Sequence, residues 1–174
     1  MTALRPRWIV PAALVVYLIT AWSSTGFQNA DEHYQVIAFA EAKLGHQPIS
    51  ALPWEYAAHI RSALLPSICW AVFSMAHAAG VNDPFVLTFL LRLLTVMLAF
   101  WSIPAFVRST LHLIGPQLHR PYMLLSFFLW FLPFLNVRFT GETWSGLLFL
   151  LGLASLLSPK GKISRYWHTG IFFG

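Results

Sequence analysis

The stretch Pro84-Phe85-Val86-Leu87-Thr88-Phe89-Leu90-Leu91-Arg92-Leu93-Leu94-Thr95-Val96-Met97-Leu98-Ala99-Phe100-Trp101-Ser102-Ile103-Pro104-Ala105-Phe106-Val107 decides the fold class. It carries one charge, Arg92, in 24 residues, and roughly 17 to 25 apolar residues suffice for a helix to cross about 30 Å of hydrocarbon. Further apolar segments lie at about 8–26, 62–79, 121–137 and 141–157, and another begins near 166 and stops at Gly174. The whole chain has the same bias. It is 57% hydrophobic and only 10% charged, against about 25% charged residues in ordinary soluble domains.

These segments predict an all-α, polytopic helical membrane protein. Membrane helices are expected at about 8–26, 84–107, 121–137 and 141–157, with a long structured extracytoplasmic loop over about 27–83. A truncated helix from about 166 marks the chain as the amino-terminal part of something longer. Arg5-Pro6-Arg7 followed by apolar Trp8 to Trp22 also fits a secretory signal, but a retained anchor fits better because more spans follow.

Several function classes drop out. The net charge of +5 comes from Lys and Arg scattered singly between apolar runs, not from the basic patch that nucleic acid demands. Cys69 is the single cysteine, which excludes an intramolecular disulfide and a multi-cysteine metal site. No Gly-rich phosphate loop, His/Cys cluster or Gly-x-Ser-x-Gly turn is present. Neither a cofactor nor a metal is implied.

The segment 62–79 decides the topology. If it crossed the membrane, seven basic residues (Lys43, Arg61, Arg108, Arg120, Lys160, Lys162, Arg165) would lie outside against three inside. If it lies along the interface or re-enters, seven (Arg5, Arg7, Arg108, Arg120, Lys160, Lys162, Arg165) lie inside against Lys43, Arg61 and Arg138 outside. Positive charge concentrates inside, so the second arrangement is expected. It brings Arg138 and Glu142 to the face that carries Asp31 and Glu32.

The loop holds four of the six acidic residues, Asp31, Glu32, Glu41 and Glu55. Asp31 to Leu44 reads as an amphipathic helix with Tyr34, Ile37, Ala38, Glu41 and Leu44 on one stripe, capped by Asn29 or Asp31 and stopped by Gly45. Asp31 and Glu32 have two readings. Either they cap a helix, or one of them takes a proton from an attacking hydroxyl. Trp54-Glu55-Tyr56, followed by His59 and Arg61, suits either a sugar or the membrane interface. Asn136 to Gly141 reads as a turn, so the charges of Arg138 and Glu142 at the end of a span form a site hypothesis. Arg92 either snorkels to the interface or meets an anion such as a lipid phosphate.

The ordered run Asn29-Ala30-Asp31-Glu32-His33-Tyr34-Gln35, Ala40-Glu41, Leu44-Gly45, Trp54-Glu55-Tyr56 and Arg61-Ser62-Ala63-Leu64-Leu65-Pro66 resembles the mannosyltransferases of the glycosylphosphatidylinositol and asparagine-linked glycan pathways. Arg138-Phe139-Thr140-Gly141-Glu142-Thr143 is similar to that family's stretch at a lumenal helix start. Asn29 and Ala30 stand where the family has His and Pro, and Gly141 where it has Asn. The resemblance implies a GT-C glycosyltransferase of family 22 that inverts the anomeric centre. Its partners would be a polyprenyl-phosphate mannose donor, a glycan or glycolipid acceptor and the bilayer. Asp31 would be the base, with Glu32 beside it. Gln35, Trp54, Glu55, Arg61, Arg138 and Glu142 would bind substrate, and Arg92 would be the donor-phosphate candidate. The implied location is the endoplasmic reticulum membrane of a eukaryote or the inner membrane of a bacterium, with the active face lumenal or extracytoplasmic. The alternatives are a non-catalytic carrier, although no paired broken helices in two halves stand out, and an inactive fragment of the transferase.

Overall fold

A computed structural model of the chain describes residues 8–26 and 30–158. The segment expected from about 166 lies outside them. All regular elements among the described residues are helical: α1 (Ile9–Ser23), α2 (Ala38–Leu44), α3 (Trp54–Ala57), α4 (Leu64–Ala78), α5 (Pro84–Thr110), α6 (His119–Phe128), α7 (Leu132–Leu135) and α8 (Gly141–Leu157), with short 3₁₀ turns between them and a π-helical stretch, Glu32–Ile37, running into α2.

Helix α5 is the axis of the molecule. Asp83 caps its start by accepting from the Phe85 and Val86 amides at 2.8 and 3.2 Å, and Pro84 occupies the first turn, where its missing N–H costs nothing. With the turn that follows, Pro84–Leu113 makes 30 residues, with a mean hydropathy of 2.1 over its most apolar 18, long and apolar enough to cross a membrane. Ile9, Ala13, Tyr17 and Ala21 recur every fourth residue on α1 and are all buried. They share one core with Val96, Ala99, Ile103 and Val107 of α5, Phe127 of α6 and Leu147 of α8. Tyr17 fastens this core by donating to the Phe127 carbonyl at 3.2 Å and accepting from Asn136 Nδ2 at 3.3 Å.

The apolar segment at 121–137 forms two helices, not one. Pro133 has no amide proton to give and its ring crowds the carbonyl of the residue four before it, Leu129. Leu129 accordingly leaves helical geometry at ψ 128°, and α7 restarts with the proline in its first turn.

A second layer covers one end of α5. Val36 and Ala40 from the loop helix, Cys69, Phe73 and Ala76 from α4, and Leu87 and Leu91 from α5 share a core with Phe139. Helix α4 follows the loop helix along its length. Lys43 Nζ lies 4.5 Å from the centre of the Trp70 ring, and His77 stacks on His46 at 5.2 Å. Gly45 stops α2 as expected. At φ +82° it lets the His46 amide reach the Glu41 carbonyl and its own amide reach that of Ala42, a closure that needs a left-handed residue.

The expected stripe holds at Ala38, which is buried, and at Ile37 and Leu44, which pack against this core, but fails at its start. There Glu32 and Val36 face inward while Tyr34 is exposed, because the π-helical stretch adds a residue to the turn and shifts the register of everything before it. Asp31 has helical backbone angles and makes no side-chain cap hydrogen bond. The other expected cap, Asn29, lies outside the described residues.

Candidate active site

At the junction of the two layers an open cavity of about 230 Å³ is walled by Asp31, Glu32 and Gln35 from the loop helix, Arg61 and Ser62 from the approach to α4, and Thr140, Glu142 and Trp144 from the start of α8. Sites for drug-sized ligands run to roughly 300–1,000 Å³, so this space by itself is small. Thr140 builds its floor. Its hydroxyl accepts from the Thr143 amide at 3.2 Å and caps α8, which turns the helix's positive end toward the cavity. Trp144 is fixed by donating Nε1–H to Thr95 Oγ1 at 3.0 Å.

Behind the cavity lies a buried charge cluster. Glu32 is only 7% exposed and Arg138 only 2%, and their charged groups approach to 3.9 Å. A buried carboxylate is tolerated when paired and hydrogen-bonded. Arg138 also donates to the Gly26 carbonyl at 2.8 Å and lies 4.5 Å from the centre of the Phe134 ring. It therefore joins the α7–α8 turn to the exit of α1 and to the loop helix at one point.

Arg92 neither snorkels outward nor lines the cavity. It is 6% exposed and donates to the carbonyls of Ser24, Ala21 (3.4 Å) and Gly26 (3.5 Å). The last carbonyls of a helix lack intrahelical partners, and this guanidinium satisfies those at the end of α1. Arg92 and Arg138 thus share the Gly26 carbonyl.

Of the residues singled out in the sequence, Asp31, Glu32, Gln35, Arg61 and Glu142 come together on one cavity, and Arg138 stands behind it against Glu32. Arg138 meets Glu32 and not Glu142, its neighbour in sequence. Glu55 lies in an adjoining cavity, where its carboxylate reaches Arg61 at 3.7 Å. Trp54 lines neither space and is 70% exposed. Its neighbour Tyr56 turns inward instead, edge-to-face with Phe39 at 5.0 Å. Thr140, Ser62 and Trp144 were not singled out as candidates. For Thr140 the signal was readable, because a threonine three residues before another polar residue at a helix start is a capping pattern.

A second space of about 530 Å³ shares Thr140 and Glu142 with the first. It continues between α5, α6, α7 and α8 among Ile103, Phe106, Leu132, Leu135, Leu147 and Leu150. Glu142 therefore stands where the acidic cavity meets this groove between the helices.

An apolar helix layer with a carboxylate-walled cavity at one end defines the class, a helical membrane protein with a polar site at its rim. The chain belongs to the Alg9-like mannosyltransferase family, whose model matches residues 8–172. It is therefore a glycosyltransferase, in a family of membrane enzymes. No curated protein and no solved structure matches it.

Proposed function

We propose that the chain carries the reaction face of a GT-C, multi-pass mannosyltransferase that takes its sugar from a polyprenyl-phosphate donor and inverts the anomeric centre. The observation that carries this reading is the cavity walled by Asp31, Glu32 and Glu142, which meets at Thr140 and Glu142 a larger groove between α5, α6, α7 and α8. A lipid-linked sugar needs both, carboxylates at the sugar and a groove among helices for the chain.

In this reading the acceptor hydroxyl lies against Asp31. Its oxygen attacks C1 of the mannosyl unit, its proton passes to the Asp31 carboxylate, and the bond from C1 to the phosphate oxygen breaks to release polyprenyl phosphate. Glu32, turned toward Arg138, holds the loop helix in place. Gln35, Arg61 and Glu142 orient sugar hydroxyls. Arg92 was the phosphate candidate, but its Nη1 and Nη2 are bonded to carbonyls at the exit of α1. That favours a fastening role, with the donor phosphate placed at the amino end of α8.

The course of helix α4 supports the topology in which 62–79 does not cross the membrane. It stays in the layer of the loop helix from Leu65 to His77, and in this reading Asp31, Glu55 and Glu142 share one extracytoplasmic or lumenal face. The test is to supply the full-length protein with polyprenyl-phosphate mannose labelled at C1 and read the anomeric coupling of the product. Inversion at C1 is expected. Retention, or a requirement for a nucleotide sugar, contradicts the reading.

A further inference from the structure

The acidic cavity is closed on one side by Arg61, Ser62 and Pro66, and beyond that wall lies a separate space of about 400 Å³. Its remaining walls include Phe39 and Lys43 from the loop helix, Glu55 and Tyr56 from α3, and Ser67 from α4. All its walls come from residues 39–67, so the loop helix, α3 and the start of α4 fold around it, and the Arg61-Ser62 wall belongs to both spaces.

The chemistry of this second space is that of a neutral polyhydroxyl. Tyr56 and Phe39 meet edge-to-face at 5.0 Å, which fixes the tyrosine ring as a platform for the C–H face of a sugar. Glu55 and Arg61, 3.7 Å apart, offer acceptors and donors side by side. Its two permanent cations are already engaged, Arg61 by Glu55 and Lys43 by the Trp70 ring at 4.5 Å. A site for a phosphate or another anion would leave such charges aimed inward. Here they are balanced, and hydrogen-bonding capacity remains. His59, the one non-glycine at positive φ among the described residues (φ 53°), turns the chain sharply between α3 and Arg61. A side chain with a Cβ adopts this left-handed geometry only at a cost, which marks the turn as one the surrounding structure enforces.

We infer that this cavity is a second acceptor subsite, which binds the sugar unit next to the one that receives the mannose. The inference rests on the transferase reading of the acidic cavity and adds to it. The reacting sugar sits with Asp31, and the preceding unit of the glycan lies on Tyr56 across the Arg61-Ser62 wall. The enzyme therefore selects acceptors of at least two units.

The test compares octyl α-mannoside with octyl α-mannobioside as acceptors for the full-length enzyme, with polyprenyl-phosphate mannose as donor. The wild type is expected to favour the disaccharide by about tenfold in kcat/KM, the equivalent of one good contact. Tyr56→Ala should bring that ratio close to one through a higher KM for the disaccharide, and Tyr56→Phe, which keeps the platform, should retain it. A variant that merely folds poorly slows both acceptors alike and leaves the ratio intact, and that result overturns the inference. Equal use of both acceptors by the wild type overturns it too and leaves the transferase reading standing. Transfer to neither acceptor overturns both.

Discussion

Replacing Arg138 by methionine removes the cation that faces Glu32 and keeps most of the side-chain volume. With charges 3.9 Å apart, Coulomb attraction at an effective dielectric of about 20 is on the order of 4 kcal/mol, much of it offset by the cost of burying both groups. Removing one partner exposes that cost, because Glu32 stays buried with one counter-charge fewer and the Gly26 carbonyl loses its 2.8 Å donor. Breaking buried pairs in this way costs roughly 3–5 kcal/mol. For a chain of this size that corresponds to a fall in Tm on the order of 10 °C. Cys69 supplies the assay. It is the only cysteine and is fully buried, so a fluorogenic maleimide reports unfolding of the detergent-solubilised chain directly. Adding Glu32→Gln removes the carboxylate that Arg138 balanced, so the double variant should melt above Arg138→Met alone, with a coupling energy of about 2 kcal/mol. Additive effects, within about 0.5 kcal/mol, would refute the argument that the two groups stabilise one another.

Two further predictions use Cys69 and the topology. Burial, with a smaller contribution from Glu41, pushes the Cys69 thiol up from 9.0 to about 12. The folded chain therefore keeps a proton that the unfolded chain loses, and stability should fall as pH rises from about 9 to about 12. Melting curves of the wild type and Cys69→Ala across that range check this, and equal slopes count against it. In the Cys69→Ala background, Ala30→Cys and His112→Cys should label from opposite faces of sealed vesicles. Labelling from one face contradicts a non-crossing α4.

How much of this was legible beforehand follows from where each signal lies. The α5 span and the Gly45 stop depend on local composition and on one backbone angle, and both read directly. The grouping of Asp31, Glu32, Gln35, Arg61 and Glu142 was suggested by motif order and by the distribution of basic residues, although neither gave distances. The π-helical stretch was invisible, because a 3.6-residue period places Tyr34 inside and the tertiary environment places Glu32 there instead. The contacts of Arg92 were invisible for the same reason. Its partners are carbonyls at the end of α1, and no local pattern announces them. Pro133 did announce the break between α6 and α7, but a hydropathy window averages over a single proline. Trp54 and Tyr56 flank Glu55 symmetrically in sequence, and only packing against Phe39 decides which of the two turns inward.

The central claim is that Asp31 takes the proton from the acceptor in this cavity. The measurement that tests it most directly is the single-turnover rate of mannosyl transfer by the full-length Asp31→Asn enzyme, with folding verified by its Tm. A positioned base contributes about 10²–10⁴-fold, so a loss of that size at unchanged Tm and unchanged donor affinity is predicted. A rate within a few-fold of wild type would remove Asp31 from the chemistry.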